Sequence, residues 1–191
     1  NNGTFTLKSN PSGTAFLDNF SSGFTGSLTA GIKFERYSTG AYRHIGAPLA
    51  GQTISSLNVS CFLVRTFDEP SNSWMPITAN CELEEFDNLG GISFNAGSGA
   101  NNPTTVTFTG FPVSGTVSFP IVRSTSVFGG PQTGWNSLYN PYASPIDWNV
   151  AKNLGTNGTI TNRAVWIWNS NINNWATLTG LGIAAHGASN I

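Results

Sequence analysis

Charge is what this chain has least of. Asp, Glu, Lys and Arg together make up 9% of its 191 residues, against about 25% in an average globular protein. Eight Lys+Arg stand against nine Asp+Glu, for a formal net charge of −1. With no basic cluster, nucleic acid is not an expected partner, because a phosphate backbone is gripped by Lys and Arg that displace its counterions. Long apolar runs are missing too. None reaches the roughly 18 residues that a membrane-spanning helix needs, so insertion into a membrane is not expected. Histidine is limited to His44 and His186. Neither lies in an HExxH run or beside a Cys or Asp at ligand spacing, which argues against zinc. No GxSxG elbow leads into a helix, and Gly97-Ser98-Gly99 falls in a polar connection. Helical periodicity is nearly absent as well.

Apolar residues make up 39% of the chain, enough for a packed interior, and Asn, Ser, Thr and Gly fill the places that charge leaves empty. Short runs of Thr, Val, Ile and aromatics alternate with Gly, Asn, Pro and Ser, the pattern of many short strands. Strands are expected at residues 3–8, 13–17, 32–37, 41–46, 59–67, 74–86, 104–109, 116–122, 134–138, 164–168 and 175–178. The run NAGSGANNP at 95–103 reads as a linker, and 149–162 as a polar connection with room for a turn of helix. Strands this short and close predict an all-β fold, a β-sandwich or jelly-roll-like module.

The chain also repeats itself. AYRHIGAPLAGQT at 41–53 aligns with GWNSLYNPYASPI at 134–146, setting Tyr42 on Trp135, Ile45 on Leu138 and Pro48 on Pro141. FLVRTFDEPSNSWMPIT at 62–78 aligns with RAVWIWNSNINNWATLT at 163–179, setting Asp68 on Asn169 and Trp74 on Trp175. Each of the second pair reads as a strand, an Asx-rich turn and a strand opening on Trp. One module of two related halves, about 1–94 and 104–191, follows.

The run GWNSLYNPYASPIDW, of the form GWNxxxNPYxSPIDW, resembles a segment of large proteins that Bacteroidetes export through the type IX secretion system. TFTLKSNPSGTAFLDN, IKFERY and AYRHIGAPLAG resemble the stretch that precedes it, so the likeness runs from about Thr4 to Ile191. It implies an extracellular or cell-surface β-rich module inside a longer, adhesin-like chain. Its expected partners are neighbouring modules or other surface proteins. It implies no catalytic residues. The family form continues past a segment such as GASNI, so this chain is expected to be a piece of a longer one. Ser137-Leu138-Tyr139 departs from the usual GWNLxGNPY form.

Four aromatics are candidates for a sugar-stacking surface, and polysaccharide is the alternative partner to other proteins. Strand alternation sends Val165 and Ile167 to one side and Trp166 and Trp168 to the other. Trp166 aligns with Arg65 in the first half, a position that does not demand burial. Tyr142 and Trp148 flank the SPIDW run and extend the set. The competing reading buries all four, as Trp usually is. Asp68 and Asp87 lie in polar turns that offer oxygens to calcium, but neither turn matches an EF-hand, and turn closure accounts for both. No other cofactor is expected. Glu82 and Glu84 would share one face of a strand, an arrangement that rarely straddles a substrate as a glycosidase pair must. The chain is therefore read as non-enzymatic. Cys61 and Cys81 flank a turn, and either a disulfide or two buried thiols fits that placement.

Overall fold

In a computed structural model of the chain, residues 5–17, 31–38, 42–57, 63–77, 80–95, 104–124, 134–155, 164–169, 172 and 174–178 are described, apart from the side chains of Glu82, Asp87, Asn88 and Thr104. The chain is all-β. Its strands are β1 (Phe5–Leu7), β2 (Ser9–Asn10), β3 (Gly13–Thr14), β4 (Ile32–Ser38), β5 (Tyr42–Ile45), β6 (Val64–Asp68), β7 (Ser73–Pro76), β8 (Ile92–Asn95), β9 (Thr104–Gly110), β10 (Val165–Asn169) and β11 (Asn174–Leu178). Among the described residues, α-helix is confined to single turns at Phe86–Leu89 and Trp148–Ala151. The chain divides into two compact units, Asn1–Pro145 and Ile146–Ile191.

The first unit holds two larger sheets. One has the order β1-β4-β9, with β1 parallel and β9 antiparallel to β4. Alternation in IKFERYS explains it: Ile32 and Phe34 point inward, and Phe34 faces Phe108 across the ladder. The other has the order β5-β8-β6-β7, antiparallel throughout. Leu7, Ile32, Phe34, Val106 and Phe108 from the first sheet and Val64, Ile92 and Phe94 from the second belong to one buried core. Leu49, Ile54, Leu57 and Phe86 complete that core from the connections.

Three expected strands take other forms, each for a local reason. Residues 134–138 and 116–122 form no strand, because side chains satisfy their backbone. Asn136 accepts from the Val122 amide at 2.9 Å and donates to the Val122 and Gly134 carbonyls. The Tyr142 hydroxyl accepts from the Val117 amide at 3.2 Å and donates to the Gly115 carbonyl at 2.7 Å. The stretch 74–86 is extended only to Pro76. Asn80 then turns with φ 47°, Cys81–Leu83 forms a 3-10 turn, and Phe86–Leu89 a helical one. The strand β8, set between β5 and β6, is hidden in the sequence by Gly90-Gly91 before it and the linker-like run after it. Of that run, 96–103 lies outside the described residues.

The second unit carries the helical turn Trp148–Ala151, capped by Asp147 accepting from the Asn149 amide at 2.8 Å, and the β10–β11 hairpin.

Candidate functional site

The two long hairpins share one design. In β6–β7 Asp68 pairs with Ser73 and Phe67 with Trp74, leaving residues 69–72 as the loop. In β10–β11 Asn169 pairs with Asn174 and Trp168 with Trp175, leaving 170–173. The aromatic pair next to the turn has nearly the same geometry in both. Phe67 and Trp74 have ring centroids 5.4 Å apart at 70°, and Trp168 and Trp175 5.3 Å apart at 72°. An edge-to-face pair at this spacing ties the strands together by about 0.5–1.5 kcal/mol beyond the area it buries.

Because residues two apart on a strand share a face, Trp166 lies on the same face as Trp168 and Trp175, with Thr177 opposite it. The other face carries Val165, Ile167, Ala176 and Leu178, of which Ala176 is buried. Trp166 and Trp175 each keep 40% of their surface exposed, while Trp168 between them is half-buried. This is the largest aromatic grouping on any one face of the second unit's described strands. From sequence Trp175 reads only as the residue that opens its strand, not as part of the stacking surface. The signal was present, since a four-residue loop after Asn169 sets Trp175 against Trp168.

Tyr142 and Trp148 have other surroundings. Tyr142 is half-buried, with its hydroxyl engaged by the Val117 and Gly115 backbone. It belongs to a strap, 134–144, that runs over the first unit. Asn140 shapes the strap by accepting from the Tyr142 amide and donating to the Ser144 carbonyl. Tyr139 anchors it, packing edge-to-face on Phe86 and Phe119. The Tyr139 ring lies against Gly46, where an added Cβ would clash with the ring. Trp148 is half-buried and opens the helical turn of the second unit.

Of the acidic candidates, Asp68 serves its own turn. Asp68 accepts from the Ser71 amide at 3.1 Å and from the Ser71 hydroxyl, closing its turn. The Asp87 side chain lies outside the described residues, as does that of Glu82. Glu84 follows a 3-10 turn, so the shared strand face expected for Glu82 and Glu84 does not form. Among the described residues no three His, Cys, Asp or Glu side chains gather closely enough to hold a metal ion. Cys81 is disulfide-bonded and 5% exposed. The chain's other cysteine, Cys61, lies outside the described residues, as does His186.

Glu69, next to Asp68 in the same turn, has a larger structural part. It is 6% exposed, and its carboxylate accepts from the Gly134 amide and, at 3.0 Å, from the Ser124 amide. Burial pushes its pKa up, but these amides outweigh burial and hold it below the ordinary value. Glu69 thereby pins the strap to the β6–β7 turn.

The four-stranded sheet has its own aromatic face, turned away from the core side chains Val64, Ile92 and Phe94. Alternation places Tyr42 and His44 of β5, Ser93 of β8, Arg65 and Phe67 of β6, and Trp74 and Pro76 of β7 on it. His44 and Trp74 have ring centroids 4.6 Å apart. Desolvation lowers the His44 pKa to about 4, so its ring is neutral at pH 7. Arg65 points its guanidinium at the Tyr42 ring, 6.0 Å from the centroid.

No family model, no curated protein and no solved structure matches the chain.

Proposed function

We propose that the chain is a non-catalytic structural and adhesive module of a secreted or cell-surface bacterial protein, a β-sandwich whose work is done by aromatic sheet faces. The observation that carries this reading is where the polar side chains are used. Glu69, Asn136, Asn140 and Tyr142 are each engaged with the chain's own backbone, while Trp166 and Trp175 each keep 40% of their surface exposed. The disulfide at Cys81 favours an oxidising, extracellular setting. The GWNSLYNPYASPIDW run adds its resemblance to type IX-exported surface proteins. Neighbouring modules and other surface proteins are the partners, and no cofactor is needed.

A second reading, a carbohydrate-binding module, is favoured by one specific feature. Trp166, Trp168 and Trp175 share a face on which Trp166 occupies the position that Arg65 holds in the matching hairpin. The Trp168–Trp175 pair repeats the Phe67–Trp74 pair and is explained by hairpin stability. Trp166 stands where the matching hairpin has Arg65 and keeps 40% of its surface exposed, and a flat ring suits the apolar face of a pyranose. The strands β10 and β11 bear no charged residue, so a neutral glycan fits them best.

Glycan-array binding and self-association of the purified chain test both readings. Binding lost in a folded Trp166→Ala variant supports glycan recognition. Self-association or capture of neighbouring modules without glycan binding supports the structural role. Hydrolysis of any glycan by the chain contradicts the non-catalytic reading.

A further inference from the structure

His44 and Trp74 sit on β5 and β7, the first and last strands in the order β5-β8-β6-β7. In a flat sheet three strand spacings, about 14 Å, separate such strands, and side chains standing upright would keep that distance. The ring centroids are instead 4.6 Å apart. The sheet therefore curls over this face until side chains of its first and last strands touch. Ser93 of β8 pairs with His44 on one side and Arg65 on the other, and it is 4% exposed, sealed on the floor of the trough. Phe67 supports Trp74 edge-on. Charge on this face works against protonation of His44. Arg65 stands in the same cross-strand row, one strand beyond Ser93. Tyr42 shares the face, while Arg43 and Asp68 alternate to the opposite one. Strands β7 and β8 carry no titratable side chain. Glu69, in the turn after β6, is held by the Gly134 and Ser124 amides. Among the described strands of this sheet, His44 thus has a guanidinium in its row and no carboxylate on its face. Burial lowers its pKa from 6.5 to about 4, because an imidazolium among apolar rings loses its hydration.

We propose that the His44–Trp74 contact is a clasp released by acid: with His44 neutral it holds β5 and β7 together over Ser93, and protonation of His44 opens it. Val64, Ile92 and Phe94, on the core side of the same sheet, stay packed when it opens. As pH falls below 6.5 the unfolded chain takes up a proton on His44 before the folded chain does. The clasp's contribution to stability is therefore full above that value and is lost as pH falls to about 4. The device lies wholly in the first unit and does not involve the tryptophan face of the second.

An acid titration of the folded chain, followed by NMR at the His44 ring, the Trp74 indole N–H and the Val64 and Ile92 methyls, tests the proposal. His44 is expected to titrate near pH 4, with the Trp74 signal moving at the same midpoint and the methyl signals keeping their folded positions. His44→Phe keeps a ring in the contact but does not titrate, and is expected to leave the Trp74 signal flat. Trp74→Ala uncovers His44 and is expected to raise its midpoint towards 6.5, a readout that stands even where His44→Phe fails to fold. A His44 midpoint at or above 6.5 in the parent chain overturns the proposal, because Trp74 would then be favouring the imidazolium as a cation–π partner. It is equally overturned by methyl signals that collapse as His44 protonates, by a Trp74 signal that titrates alike in His44→Phe, or by a His44 midpoint unmoved in Trp74→Ala.

Discussion

Individual side chains in this protein carry connections that larger proteins leave to ladders of strands. Gly46 is the sharpest case. Tyr139 lies where any side chain at position 46 would stand, so Gly46→Ala must push the ring off Phe86 and Phe119. Overpacking of this kind costs about 1–3 kcal/mol, and a denaturant titration of Gly46→Ala is expected to show a loss in that range. Glu69 gives a second residue-scale expectation. Its folded-state pKa lies below the unfolded value, so its contribution is present in full above the unfolded value and is lost as pH falls through the folded one. Thermal melts from pH 7 down to pH 3 should therefore show an acid-side decline that is shallower in Glu69→Gln. That variant should also melt lower at neutral pH, since the Gly134 and Ser124 amides then face a weaker acceptor.

At the scale of elements, the β6–β7 and β10–β11 hairpins are the clearest repeated feature, with equal loops and matched aromatic pairs. The account separates two neighbouring tryptophans by role. Trp168→Ala removes half of the edge-to-face pair and is expected to destabilise the chain by at least about 0.5–1.5 kcal/mol. Trp166→Ala, at an exposed position, is expected to stay within about 0.5 kcal/mol of the parent. Thermal denaturation of both variants checks the contrast. These hairpins were legible in the sequence because Asx-rich turns and an opening Trp mark register directly. So were β4 and β9, where Ile32 and Phe34, and Val106 and Phe108, alternate with polar residues. The strap was not legible as what it is. Its aromatics mimic a strand, and only contacts far along the chain, from Asn136 to Val122 and from Tyr142 to Val117, show that side chains replace the ladder. For the same reason Leu138, aligned with Ile45 in the sequence repeat, is 47% exposed. Phe86 and Phe94, buried in that core, sit beside the acidic and glycine-rich runs that read as turns.

The whole molecule joins an all-β first unit, built around one core, to a second unit whose hairpin is apolar on one face and tryptophan-rich on the other. A lone hairpin is marginal in water, so the buried Ala176 side supports the fold, while on the other side Trp166 and Trp175 each keep 40% of their surface exposed. The candidate site was half legible on this scale. Alternation found Trp166 and Trp168 on one face, but pairing was needed to add Trp175 and to show that Tyr142 is engaged with backbone.

The most direct measurement of the central claim is binding of the purified chain to a broad panel of polysaccharides and bacterial surface proteins, run beside a folded Trp166→Ala variant. The account predicts non-catalytic binding that depends on Trp166, with every panel member recovered intact. Binding unaffected by loss of the Trp166 ring, or conversion of a panel member to product, would contradict it.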